Sequence, residues 1–219
     1  MRPLQVKYYN WSGSHGPRSL RKEHSLRKLT YFIACSIDGF IGDPEGDASS
    51  MLAFVDEEFF GFLKAEYPET LPTHGRRPLG LDDLPNKRFD TIVQGRASYD
   101  IALKEGVTSP YAHLRQYVAS RTLTESPDPD VEIIAEDLVD RVRALKAEDG
   151  ELGVYLCGGS RLAGELLGEI DELVIKTYPQ VYGSGMPMFG AGFSVTDFAL
   201  ESVRVFTNGV LVRTYARKR

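Results

Sequence analysis

The chain has 219 residues, of which 42% are hydrophobic and 26% charged, with a formal net charge of −5. This is the composition of an ordinary globular protein, long enough to bury a full core. No run approaches the roughly 20 apolar residues needed to cross a bilayer, and the N-terminus has charges and Pro where a signal peptide needs an apolar stretch. A soluble, cytoplasmic protein without a membrane partner is therefore expected. The two cysteines, Cys35 and Cys157, lie in apolar strand-like runs, and four scattered histidines add no ligand spacing, so neither a disulfide nor a metal site is expected.

Residues 1–28 carry seven Arg or Lys against one Glu, about +6, which leaves about −11 for the rest. The segment has no helical period and contains Trp11-Ser-Gly-Ser14 and Gly16-Pro17. It reads as a flexible basic leader over 1–27 and not as a nucleic-acid-binding arm, with one folded domain over 28–219.

From Leu29 the apolar pattern alternates between strand-like and helical. Leu29–Ser36 is almost continuously apolar, as in a central strand covered on both faces, and ends at Asp38-Gly39. Val55–Tyr67 has helical spacing, with Asp56 as N-cap and acids in its first turn. Pro68–Arg88 is rich in Pro and Gly, lacks a period, and reads as a long surface loop of the kind that often serves as a lid. Strands follow at Asp90–Gln94, Gln116–Ser120, Val131–Ala135, Gly153–Cys157 and Glu172–Tyr178. Helices are expected at Arg96–Lys104, Glu136–Lys146 and Arg161–Leu167. Glu201–Phe206 and Val210–Tyr215 flank Asn208-Gly209, which predicts an antiparallel hairpin with a type I′ turn. The pattern as a whole is a mixed α/β domain of about eight strands and four helices.

Three strand ends carry chemistry. Val154-Tyr-Leu-Cys-Gly158-Gly159-Ser160-Arg161-Leu162 runs a strand through two glycines into a helix start. There, unpaired N–H groups and the absence of side chains suit a pyrophosphate. Ile92-Val-Gln-Gly95-Arg96-Ala-Ser98-Tyr99 repeats the arrangement, and Ser120-Arg121-Thr122 adds hydroxyls and a guanidinium at a third. In an open α/β sheet ligands bind at the carboxyl ends of strands, so these segments form one candidate nucleotide site. The hydroxyls and guanidinium groups there suit a phosphate or a ribose.

Ala34-Cys-Ser-Ile-Asp38-Gly39-Phe-Ile41-Gly42, the three strand ends and Pro179-Gln-Val-Tyr-Gly183-Ser-Gly185-Met-Pro187-Met-Phe189 occur in the order and spacing of a known family. The chain resembles the dihydrofolate reductases over residues 28 to about 217. It is more similar to the reductase domain of the bifunctional riboflavin-biosynthesis deaminase–reductase and its stand-alone bacterial relatives. The resemblance implies a dihydrofolate-reductase-like three-layer fold, a mostly parallel mixed sheet with flanking helices, and an NADPH-dependent reductase acting on a small heterocyclic, imine or carbonyl substrate. It further implies that Ala34 and Ile41 line the nicotinamide pocket, that Gly158, Gly159, Ser160, Arg161 and Leu162 hold the pyrophosphate, and that Gly95, Arg96, Ser98, Ser120 and Arg121 surround the adenosine ribose. A cis Gly158–Gly159 peptide and a homodimer are implied in the same way. The only tryptophan, Trp11, lies outside the domain, which argues against folate as the substrate. Asp56, Glu58 and Asp38 are the candidate acids. A dinucleotide-binding protein without turnover is the alternative.

Overall fold

The structure, a computed structural model, describes residues 26–218, so the expected leader falls outside the described residues apart from Leu26 and Arg27. Arg27 belongs to the domain. The Arg27 side chain is 1% exposed and pairs with Asp90 and Glu148, and it also donates to the carbonyls of Leu145, Leu152 and Gly153. The folded domain thus begins at least one residue before the expected boundary, because a buried guanidinium is tolerated only where its donors are satisfied.

The strands are β1 (Leu29–Cys35), β2 (Phe40–Gly42), β3 (Phe89–Gly95), β4 (Arg115–Ala119), β5 (Val131–Ile134), β6 (Gly153–Cys157), β7 (Glu172–Thr177), β8 (Met186–Pro187), β9 (Phe198–Val205) and β10 (Leu211–Arg217). The helices are α1 (Glu57–Glu66), α2 (Thr73–Arg76), α3 (Arg96–Lys104), α4 (Leu138–Ala147) and α5 (Ser160–Glu165). Eight strands form one sheet in the order β5-β4-β3-β6-β1-β7-β10-β9. The first six run parallel, and β10 is antiparallel to both of its neighbours.

The pleat sends alternate side chains to opposite faces of the sheet, and this divides the core in two. Tyr31, Val93, Leu156 and Ile175 pack with Val142 and Leu145 of α4 and with Leu162 and Ala163 of α5. Phe32, Ile92, Tyr155 and Val174 pack with Phe59, Phe62 and Leu63 of α1. Tyr99 of α3 packs with Val118 and Val131. The result is the α/β domain that the pattern predicted, in the three-layer form that the resemblance implied.

Three expectations need correction. The Pro68–Arg88 stretch is not a plain loop, since it holds α2, two short 3-10 turns and a fully buried Arg76. Arg76 donates to the carbonyls of Pro68, Leu81 and Leu84, so a single side chain supplies the organisation that periodicity could not reveal. The β9–β10 turn is not type I′. Only Gly209 has positive φ, at 88°, with Gly209 N donating to Phe206 O, which is a three-residue connection closed by a left-handed glycine. The Gly158–Gly159 peptide is trans, the low-energy form of any non-proline peptide.

Candidate active site

The two glycine turns meet. β3 and β6 are parallel neighbours with Gln94 opposite Cys157, so both strands end together and turn into α3 and α5 at the same edge. A Cβ built on Gly95 would lie 3.9 Å from Gly158 Cα and from Gly159 N, ordinary van der Waals contact. A Cβ on Gly158 would come within 2.6 Å of Leu162 Cδ2, so that position has no room for a side chain unless Leu162 moves. The α3 and α5 N-termini thereby offer two adjacent sets of unpaired N–H groups.

The Tyr31 hydroxyl, on β1, lies 3.3 Å from Gly158 O and 3.2 Å from Met188 O, and so ties the double glycine to the glycine-rich loop after β7. Burial pushes its phenol far above the usual tyrosine range, which keeps it a donor at any physiological pH. That loop is also zipped to the end of β1. Phe40 and Gly42 pair with Pro187 and Met186, Met188 N donates to Gly39 O, and Ile37 N donates to Gln180 O. Met186 Sδ would sit 3.5 Å from a Cβ on Gly159, and Gly190 N donates to Ser160 O. The Ser160 hydroxyl lies beneath Gly190, buried and without a hydrogen-bond partner. A buried hydroxyl left unpaired costs free energy and marks a place where a partner is missing.

The remaining predicted cofactor positions surround these turns. Arg96 opens α3, half-buried, with its Nε donating to Asp100 at 2.5 Å, so the rest of its fork stays free. Ser98 follows in the same first turn. Ser120, at the end of β4, accepts from the backbone of Thr122 and Leu123. Arg121 is exposed and reaches Glu165 of α5 at 3.4 Å, while Arg161 is exposed at the start of α5. Ala34 and Ile41, at the end of β1 and in β2, are both half-buried.

The candidate acids are otherwise engaged. Asp56 caps α1 by accepting from Phe59 N. Glu58 accepts from the hydroxyl and N–H of Thr207, chiefly the former, and this holds its carboxyl below the usual range. Asp38 accepts from the Ser36 hydroxyl and from the N–H groups of Tyr182 and Gly183. Those contacts, the Ser36 bond foremost, lower it to about 2. Both shifted carboxyls are held charged, the wrong form for a proton donor, and Asp38 instead ties the first turn to the glycine-rich loop.

Two site features were not anticipated. Gln94, fully buried just before Gly95, has an amide nitrogen without a partner. Lys176, on β7 opposite Ala34, projects from the sheet face that packs on α1, with Nζ 3.9 Å from the centroid of the Phe32 ring. Desolvation pushes it down to about 8 from an ordinary 10.5. A lysine inside Leu173-Val-Ile-Lys176-Thr-Tyr178 was the available signal, because period two puts it on the buried face with Val174.

Comparisons with known proteins agree with this architecture. The chain is 26% identical over 186 residues to the uncharacterized protein YwjB of Bacillus subtilis (strain 168), covering 84% of this chain and 95% of that one. It is similar to the crystal structure of a putative riboflavin biosynthesis protein from Shewanella sp. PV-4, with a TM-score of 0.64, 28% identity, and coverage of 88% and 99% of the two chains. At 16% identity and a TM-score of 0.55 it shares its fold with dihydrofolate reductase from Enterococcus faecalis complexed with NADP(H), covering 88% and 97%. The fold is dihydrofolate-reductase-like and, with the RibD C-terminal domain model matching residues 27–212, the chain belongs to the RibD C-terminal domain family.

Proposed function

We propose that this protein is an NADPH-dependent reductase that delivers a hydride to a small heterocyclic, imine or carbonyl substrate. The observation that carries the reading is the contact between the Gly95 and Gly158-Gly159 turns, which sets two helix starts side by side at the carboxyl ends of neighbouring parallel strands. The dihydrofolate reductase of similar fold was solved with NADP(H), which supports the same class of cofactor here.

The residues fit such a group. The N–H groups of Gly158 to Leu162 and of the Gly95 turn would receive the pyrophosphate. Arg96, Ser98, Ser120 and Arg121 would surround the ribose and its 2′-phosphate, where a guanidinium fork makes charge-assisted bonds. Ala34 and Ile41 would line the nicotinamide side, with Asp38 holding the loop closed above. NADPH would supply the hydride. The protein's share is to orient the two reactants and exclude water.

Saturating NADPH should raise the melting temperature and bind more tightly than NADH, as read by titration of cofactor fluorescence. A melting temperature unmoved by saturating NADPH defeats the proposal. We further propose a homodimer formed through β9, one of the two edge strands of the sheet, where Leu200, Val203 and Val205 are exposed. Light scattering giving one chain mass removes it.

A further inference from the structure

Among the described residues, the ammonium of Lys176 is a cation that the fold brings into the face between the sheet and α1 without supplying a counter-charge. Its register partners are Ala34 on β1 and Val212 on β10. The same face continues through Phe32 and Tyr155 to Cys157. Nζ meets the Phe32 ring and, electrostatically, the thiols of Cys157 and Cys35, both raised by burial and therefore neutral at pH 7. No carboxylate among the described residues pairs with it. Of the candidate acids, Asp56 caps α1, Glu58 serves Thr207 and Asp38 serves the glycine-rich loop.

Lysines are almost never left in such a place unless paired, and a quadrupole contact offsets only part of the lost hydration. Lys176, Ala34 and Cys157 are nevertheless only partly buried, so solvent still reaches this row of the sheet. Ala34 and Cys157 beside it are small. Phe32, Tyr67 and Tyr155 form a buried aromatic floor beneath this row, 4–5% exposed, with ring centroids 4.7 Å and 6.0 Å from that of Phe32. A lone ammonium above such a floor suits an anionic oxygen.

We propose that Lys176 is the substrate-recognition residue of this protein: its ammonium receives an anionic oxygen of a small substrate bound along the partly exposed row of Ala34, Lys176 and Cys157. The geometry disfavours a positively charged substrate, because no free carboxylate among the described residues faces it. This deepens the reductase reading and rests on it for the word substrate; the binding site itself can be tested independently.

Three probes of equal size and different charge decide the matter: benzoate, benzamide and benzamidine, each titrated at pH 7 by ligand-observed NMR with and without saturating NADPH. Benzoate should bind saturably, benzamide at least ten-fold more weakly, and benzamidine not measurably. Lys176→Met should weaken benzoate at least ten-fold, and Lys176→Arg should retain it to within about three-fold. Equal binding of the three probes, unchanged benzoate binding by Lys176→Met, no benzoate binding at all, or displacement of benzoate by NADPH would each overturn the proposal. Should NADPH fail to bind while benzoate binding stays dependent on Lys176, the anion site stands and the reductase reading falls.

Discussion

Lys176 Nζ sits 3.9 Å above the ring centroid of Phe32, and no carboxylate among the described residues pairs with it. The fold therefore holds this ammonium at a cost. The fall from 10.5 to about 8 corresponds to about 3 kcal/mol. Below pH 8 the group is protonated in both the folded and the unfolded chain, and the whole cost is present. Between about 8 and 10.5 the unfolded chain binds more protons, so this contribution to stability improves as pH rises, and above 10.5 the cost has gone. Lys176→Met should accordingly melt several degrees above wild type at pH 7, and the difference should shrink towards pH 10. Thermal denaturation of both proteins across that range reads it directly. A lower melting temperature for the variant at pH 7 would contradict the account.

Gly158 is where the cofactor cradle is least tolerant. A Cβ there approaches Leu162 Cδ2 to 2.6 Å and Leu162 Cβ to 3.1 Å, so Gly158→Ala must turn the Leu162 side chain out of its packed position and shift the first turn of α5 by a few tenths of an ångström. Overpacking of this kind costs about 1–3 kcal/mol. Because the displaced turn carries the N–H groups assigned to the pyrophosphate, NADPH affinity should fall at least ten-fold. Gly168→Ala is the control: its Cβ would meet nothing within 4 Å, and both melting temperature and NADPH binding should stay unchanged. Calorimetric titration of the two variants makes the comparison.

Arg96 anchors to Asp100 through Nε, which leaves the two terminal nitrogens of its fork for a ligand. If they meet a 2′-phosphate, Arg96→Ala must weaken NADPH and leave NADH nearly untouched. The expected shift in the NADPH to NADH affinity ratio is about ten-fold or more, the worth of a charge-assisted bond at a partly exposed site. Equal losses for the two cofactors would move the 2′-phosphate elsewhere, with Arg121 as the next candidate.

Much of this was legible from local pattern. The buried strands announced themselves as apolar runs of five to eight residues, and the helices as a 3.6 period, because each element must bury one face. The meeting of Gly95 with Gly158 followed from a general property of parallel sheets, that strand ends share an edge, and not from any single motif. What lacked a signal was short or singular. β2 and β8 have three and two residues, too few for any period, and their pairing joins segments more than 140 residues apart. Arg76 organises its loop through three carbonyls that no sequence pattern marks. Asp38, Asp56 and Glu58 were visible as acids near a pocket, but only side-chain geometry showed their oxygens already accepting hydrogen bonds.

Arg27 gives a last test, of where the domain begins. Its side chain is 1% exposed, and its donors serve Asp90, Glu148, the Thr91 hydroxyl and three backbone carbonyls on the strand and helix ends around it. Replacing it by Met would leave the buried part of that acceptor set without donors, a loss typically of about 3–5 kcal/mol. For a domain of this length, that lowers the melting temperature by on the order of 10 °C. Lys could restore the charge but not the planar fork that reaches several acceptors at once, so Arg27→Lys should recover only part of the loss. Asp90→Asn, at a partner that is 38% exposed and can turn to solvent, should cost less than Arg27→Met. If Arg27→Met melts within about a degree of wild type, the segment before Leu29 contributes nothing to the core, and the fold starts where the apolar pattern does.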